Sequence, residues 1–486
     1  MAMGKYSVPD YIRELKPKGT MVKCISGHYY VYQYSMFTDA SGKRHTKMGK
    51  VIGTIKEGVG FISNSSYLVD TETSCLDYGE YAITVANSTD IYHLLKTCFN
   101  PEDATRIFII ALIHYIHGFT YLRNLRSYYD SSVLSLRFKN LSFGYDSVSK
   151  LYDALGRKQG PVLEFEKKLI EASTRQMAID GHVIGSTSEC NDLSGKGYKF
   201  SKLGESQVNL LMAYDVNTGK PLLSRIYQGA SPDKLSVQDF VTQVELKDML
   251  FIVDRGFFSE ANIKLFSENG NAYIIPLAPN LNNCKTAVSN LTFSERFLYE
   301  KSKKSALIEY KDETINGVRV LTYRDANEAL LIKENYLRHM ERKESGYTLE
   351  NFQKQSPLMG VIVLQTSLTD KTPQEIYALY KKRWSIETYY NYFKNQAGYS
   401  ELHVEDYYKM QGLAFIMLVS GLIHRNMENA TKDIDGMSAQ TCLLEAKMIK
   451  IRKNGSRWEL CNRLKKQVNL FEKLNTQLNL NLAPAT

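Results

Sequence analysis

At 486 residues, with 43% apolar and 23% charged side chains, the chain has room for two to four globular domains and is neither disordered nor fibrous in composition. No run reaches about 18 uninterrupted apolar residues, the N-terminus lacks a signal-peptide core, and seven scattered cysteines without a C-x-x-C pair favour a reducing cytoplasm over a zinc site. The net charge of +9 sits at the ends, since residues 1–50 and 445–473 each carry +6 and leave −3 between them, a layout suited to a polyanion gripped from outside an acidic centre.

In chain order, Gly27 to Gly53 reads as a β-hairpin: an aromatic strand from Tyr29 to Phe37, a turn at Asp39 to Gly42, and a basic strand bearing Lys43, Arg44, Lys47 and Lys50. Tyrosines and cations on one ribbon suit DNA, and Lys43, Arg44 and Lys47 are candidate DNA contacts. Residues 90 to 174 read as helices over Asp90 to Asn100, Pro101 to Tyr121 and Pro161 to Ser173, with loops at Asn140 to Ser147 and Gly156 to Gly160. The apolar runs Ile107 to Ile116 and Leu413 to Ile423 read as buried helices.

The texture then changes to alternating strands and helices. Gln176 to Ile179 is a short apolar strand ending at Asp180-Gly181, and Val208 to Asp215 with Pro221 to Tyr227 makes a hairpin around an Asn-Thr-Gly turn. Met249 to Val253 is a continuous apolar run of a sheet centre, ending at Asp254-Arg255-Gly256. Ser259 caps a helix to Ser267, and Ala272 to Leu277 is another buried strand. Residues 280 to 358 are polar and carry their own β-like pieces, so they read as an insertion, after which Val361 to Gln365 resumes the buried-strand texture.

Thr372 to Gly398 reads as one helix of about seven turns. Thr372 is its N-cap, Pro373 its first residue and Glu375 completes a capping box. At about 100° per residue, Tyr380, Arg383, Glu387 and Lys394 share one stripe, beside an apolar stripe of Leu379, Ile386 and Phe393. A carboxylate flanked by two cations and a phenol suits a metal-bound phosphate, although an exposed helix face with Glu387 paired to Arg383 has the same pattern. Asp180 and Asp254, at the C-terminal ends of central strands, can converge with Glu387, because ligands gather at strand ends of α/β sheets. Three carboxylates without histidine or cysteine favour Mg²⁺ or Mn²⁺, and two such ions about 4 Å apart serve phosphodiester cleavage and strand transfer.

The order Tyr380-x2-Arg383-x3-Glu387-x6-Lys394, with IDG at Asp180 and VDRGFFS at Asp254, resembles the Y-R-E-K signature and acidic blocks of the insertion-sequence DDE transposases over about residues 175 to 425. The resemblance implies an α/β chain with a ribonuclease-H-like mixed-sheet core interrupted by a β-rich insertion. The expected layout is a basic N-terminal β module (1–89), a helical domain (90–174), a split core (175–279 and 359–430), the insertion (280–358) and a basic C-terminal region (431–486). It further implies that Asp180, Asp254 and Glu387 hold two Mg²⁺ or Mn²⁺ ions, and that Tyr380, Arg383 and Lys394 bind the backbone of the transposon end. Trp384 is placed to stack on a displaced base or to fill the core. Implied partners are double-stranded DNA, both transposon ends and target, and a second copy of the chain on that DNA, in a bacterial cytoplasm without membrane contact. His182 stands where many relatives carry a small hydroxyl residue. A nuclease of the same fold would use the same carboxylates. A tyrosine recombinase reading of His339-x-x-Arg342 lacks further arginines in register and a nucleophilic tyrosine after the box.

Overall fold

The computed structural model describes residues 8–39, 42–64, 75–186, 191–196, 205–231, 233–289, 291–301, 304–384, 401–402, 404, 406–461, 464–474 and 476. They fall into two units, Met1–Ser74 with Arg452–Arg457, and Cys75–Ile451 with Trp458–Thr486.

In the first unit, β1 (Thr20–Ile25), β2 (His28–Thr38), β3 (Arg44–Lys56) and β4 (Gly60–Ser63) form an antiparallel meander. The hairpin expected over Gly27 to Gly53 is the β2–β3 pair, with Thr38 opposite Arg44 and Ser35 opposite Lys47. Its core is small, built on Ile12, Val31 and Ile55, and the distal end leaves Met36 and Phe37 exposed beside Arg44 and Lys47. Arg44 and Lys47 are an odd number of residues apart, so they project from opposite faces of the ribbon rather than from one.

One mixed sheet organises the second unit. Its strands are β5 (Gln176–Ser186), β6 (Gly195–Lys196), β7 (Ser206–Asp215), β8 (Pro221–Gln228), β9 (Leu250–Val253), β10 (Ala272–Pro276), β11 (Glu295–Lys301), β12 (Lys304–Ile315), β13 (Val318–Asp325), β14 (Val361–Thr366) and β15 (Glu401–Leu402). The order is β11-β12-β13-β14-β10-β9-β5-β7-β6, with β8 also paired to β7 and β15 to β5. Strands β5, β7 and β8 are antiparallel, whereas β9 and β10 run parallel to β5 and to each other.

Residues 280–358 extend this sheet. Their strands β11 to β13 form a meander whose last member pairs antiparallel with β14, Tyr323 opposite Ile362. The polar composition of the segment comes largely from β11, β12 and the following helix, while Val320 to Tyr323 of β13 are buried.

Before the sheet lie the helices α1 (Thr89–Cys98), α2 (Pro101–His117), α3 (Tyr145–Arg157) and α4 (Gln159–Glu171). Helix α3 begins inside the stretch expected as a loop, because Val148, Leu151, Tyr152 and Leu155 give it a buried stripe. Beyond the core strands come α5 (Asp233–Thr242), α6 (Ala326–Glu341), α7 (Pro373–Lys382) and α8 (Tyr407–Thr431). The two apolar runs are the buried α2 and α8; among the described residues no single helix is long and apolar enough to cross a membrane.

Helix α8 is the central beam of the helical layer. It crosses α3 so closely that a Cβ on Gly412 would collide with the carbonyl of Tyr152, and one on Gly156 with that of Tyr408. On its other side the Gln411 amide accepts from the N–H of Ile226 (3.3 Å) and donates to its carbonyl (2.6 Å), giving edge strand β8 the bonds a further strand would supply. The helical layer is also tied to the sheet by a buried fork: Arg225 of β8 donates to both carboxylate oxygens of Glu166 on α4, at 2.5 and 2.7 Å. Glu166→Ala strands the Arg225 charge in the interior and is expected to cost about 3–5 kcal/mol in a denaturant titration of the full chain. A loss below about 1 kcal/mol would mean that water solvates Arg225 in the variant.

Candidate active site

Strand alternation and parallel register build the site. Strands β5 and β9 pair with Ile179 opposite Val253, so the next residue on each is an aspartate, Asp180 beside Asp254. Met177, Ile179, Phe251 and Val253 pack into one core cluster, while Ala178 and Ile252 pack into the other, which also contains Ile376 and Tyr377 of α7. Side chains two apart share a face, so Asp180 and Asp254 lie on the face that α7 covers. Adjacent strands are about 4.8 Å apart, which sets the two carboxylates side by side.

Asp180 is not at a strand end, as its sequence context implied. Strand β5 continues through it to Ser186, carried by pairing with β7 in which Asp180 is opposite Met212. What ends at this point is the neighbour: β9 stops at Val253, and β15 takes up the same edge only at Gly185 and Ser186. Among the described strands, Asp180 therefore stands where β5 leaves its pairing with β9 and before β15 begins. His182 is two residues further along the same face. On the opposite face, Gly181 leaves room for the carboxylate of Asp233 at the start of α5, whose oxygen would stand 2.7 Å from a Cβ at that position. Nothing in the sequence linked Asp233 to the Asp-Gly pair, because the contact spans two elements.

Asp254 follows β9 in extended conformation and precedes a short turn of helix, Arg255–Phe257. Its carboxylate lies 4.0 Å from the guanidinium of Arg383, a charge contact rather than a hydrogen bond. Arg383 follows the last residue of α7, is itself mostly buried, and lies 5.8 Å from the ring centroid of Tyr380. Asp254, Arg255, Tyr380, Lys381 and Arg383 line a cleft of ≈ 850 Å³ that Asp325 and Glu328 also line. Lys381 reaches Glu328 at 3.5 Å. Of the stripe expected on one long helix, Tyr380 and Arg383 are among the described residues; Trp384 beside them is 58% exposed, which removes it from the core. The regular helix runs to Lys382, and the amides of Arg383 and Trp384 bond only three residues back. Glu387 and Lys394 lie outside the described residues.

The strands of 295–325 hold α7 in place. Tyr377 packs against Tyr323 at 5.0 Å, Tyr299 at 5.2 Å and Phe297 at 5.8 Å between ring centroids. Burial pushes its phenol above the ordinary range, so it stays a neutral donor toward Asp325. Arg319 of β13 donates to the carbonyls of Leu368 and Lys371, both at 2.8 Å, fixing the approach to the helix. The capping box forms as the sequence indicates, with Thr372 and Glu375 bonded reciprocally.

A family model described as the transposase DDE domain matches residues 171–420, more than half of the chain. The chain belongs to the DDE transposases. The match takes in both aspartates and the Tyr380-Arg383 pair. Among curated proteins none matches the transposase. Among solved structures, a cryo-EM structure of the piggyBac transposase synaptic complex with hairpin DNA is similar at 11% identity and a TM-score of 0.39, over 79% of this chain and 77% of that one. That likeness is too distant to transfer anything to this transposase.

As a donor set, Asp180 and Asp254 offer only carboxylate oxygen, which suits a hard divalent cation. Among the described residues no third ligating side chain joins them. Tyr377→Ala, which removes a fully buried ring from under α7, is expected to lower stability by about 3–5 kcal/mol. Tyr377→Phe, which keeps the ring and loses only the long bond to Asp325, should cost less than about 1.5 kcal/mol. Equal losses in a denaturant titration would mean that the hydroxyl, not the aromatic packing, seats the helix.

Proposed function

We propose that the protein is a DNA transposase of the insertion-sequence class with the Y-R-E-K signature, which cuts the ends of its element and joins them to target DNA. The observation that carries this reading is the pairing of Asp180 beside Asp254 on the sheet face covered by α7, with Arg383 of the signature reaching Asp254. The strand pattern supports a ribonuclease-H-like core: an antiparallel meander, β5-β7-β8, joined to parallel strands β9 and β10, with the first aspartate on the strand where the two parts meet.

In this reading Asp180, Asp254 and Glu387 hold two Mg²⁺ or Mn²⁺ ions, which when bound supply activation of the attacking oxygen and charge neutralisation at the leaving oxygen. Arg383 presents a planar fork suited to a backbone phosphate beside the carboxylates, and Tyr380 flanks it. Lys394 continues the backbone contact, and exposed Trp384 offers a ring to a displaced base. Hydrolysis frees a 3′-OH at the element's end. That hydroxyl then attacks a phosphodiester of the target in a transesterification, so no ester between protein and DNA forms. Lys43, Arg44 and Lys47 on the exposed hairpin grip duplex DNA from both faces of the ribbon. Because two ends must be cut together, a homodimer on DNA follows, working on the nucleoid in the cytoplasm.

The test is Mg²⁺- or Mn²⁺-dependent cleavage and joining of DNA carrying the ends that flank the gene. End-specific cutting and joining, reduced by roughly 10² or more in Asp254→Asn and Glu387→Gln, is expected. Cutting without joining or end preference would identify a nuclease, and activity indifferent to Glu387 would overturn the assignment. Arg383→Ala should weaken end binding and lower the slope of log K against log salt by about 1. An unchanged slope would remove Arg383 from the phosphate.

A further inference from the structure

Away from the carboxylates, the helical layer carries a second pocket, of ≈ 360 Å³, formed where the chain leaves α2, where α3 begins and where α8 begins. Its rim holds two large aromatic rings in water, Tyr121 at 45% and Tyr145 at 58% exposed. Two cations line the same pocket, Arg123 and Lys409. The Arg123 guanidinium lies 5.0 Å from the Tyr121 ring centroid. Among the described lining residues the one carboxylate, Asp406, is engaged locally, accepting from the amides of Tyr408 (2.9 Å) and Lys409 (3.1 Å) as the cap of α8. Close to Asp406 in sequence, Tyr408 carries a second cation–ring contact, with Arg157 of α3, itself bonded to Asp153 at 2.9 Å, over its ring at 3.9 Å.

Rings that contribute little to the core, set beside cations, suit a ligand that is planar in one part and anionic in another. Nucleic-acid bases and phosphates have that chemistry, since stacking on tyrosine tolerates any base and arginine or lysine tracks the backbone. The place in the fold agrees. Strand β15 joins β5 at Gly185 and Ser186, five residues beyond Asp180, and Val404, just past β15, lines the pocket. At about 3.3 Å per residue that separation along β5 is roughly 17 Å, or about five steps of a DNA strand at 3.4 Å each.

We propose that this pocket binds a single-stranded segment of DNA at some distance from the cut, one base stacked on Tyr121 and Tyr145 and neighbouring phosphates on Arg123 and Lys409. It rests on the transposase reading for the identity of the DNA, but its binding chemistry is tested separately, without metal and without cleavage.

The experiment is fluorescence anisotropy of the full chain with fluorescein-labelled dT12 in EDTA, over a series of salt concentrations. The intact protein is expected to bind. Tyr121→Ala with Tyr145→Ala should weaken binding roughly tenfold or more, and Tyr121→Phe with Tyr145→Phe should stay within about twofold, since the ring and not the hydroxyl does the stacking. Arg123→Ala with Lys409→Ala should weaken binding and flatten its salt dependence. In parallel, dT12 with a central 5-iodouracil, photocrosslinked to the unmutated chain, should label Tyr121 or Tyr145. The proposal is overturned if the intact chain does not bind dT12, if the alanine pair binds as the intact chain does, if the phenylalanine pair is as weak as the alanine pair, or if crosslinks fall only on residues 8–64. Failure of any of these leaves the dependence of cleavage on Asp254 and Glu387 untouched, so the two readings can fail independently.

Discussion

The parallel pairing of β5 with β9 is the constraint on which the site depends. Side chains in a strand alternate with period two, so a slip of one residue in β9 would carry Asp254 to the opposite face and away from both Asp180 and Arg383. The register is held by hydrophobic demand on both faces at once: Phe251 and Val253 fill one core with Met177 and Ile179, while Ile252 fills the other with Ala178. Two carboxylates in adjacent positions repel each other. The Arg383 guanidinium, 4.0 Å from Asp254, offsets part of that negative charge.

Everything that delivers Arg383 to that place is non-local. The helix that leads to it is seated on an aromatic cluster from β11 and β13, and its approach is pinned by Arg319, so strands 295–325 act as the mount of α7. The sheet is itself backed by α8, which meets α3 through two glycines and completes edge strand β8 through Gln411, and by α4 through the Glu166–Arg225 fork. Mount, sheet and helical layer thus belong to one packed unit, and the sheet face bearing Asp254 opens into the cleft that leaves this side chain 43% exposed.

Local features were legible in the residues themselves. The capping box at Thr372, the β2–β3 and β7–β8 hairpins, the buried β9 and the cap at Ser259 depend on neighbours in sequence, and each is present. What escaped the sequence depends on distant partners. Strand β5 continues beyond Asp180 because β7 and β15 pair with it; Val183 and Ile184 favour a strand, but the Asp180-Gly181 pair before them has the composition of a turn. Helix α3 starts among Gly144, Tyr145 and Asp146, residues typical of a turn, because its apolar stripe is buried against α8. The segment 280–358 read as a separate piece because its charge sits on the outer strands and α6, while the pairing of β13 with β14 that joins it to the sheet leaves no local mark. Trp384 was open to two readings, and its exposure removes the one that placed it in the core. Asp233 and the Tyr121–Tyr145 pair were invisible for the same reason: each is a juxtaposition of separate elements.

The most direct test of the central claim, that Asp180, Asp254 and Glu387 surround one metal-binding place on the α7 side of the sheet, is to replace Mg²⁺ with Fe²⁺ and map where locally generated hydroxyl radicals break the chain. Backbone cuts are expected at or next to residues 180, 254 and 387, suppressed by excess Mg²⁺ and lost in Asp254→Asn. Cuts that cluster elsewhere, or that persist unchanged in that variant, would contradict the account.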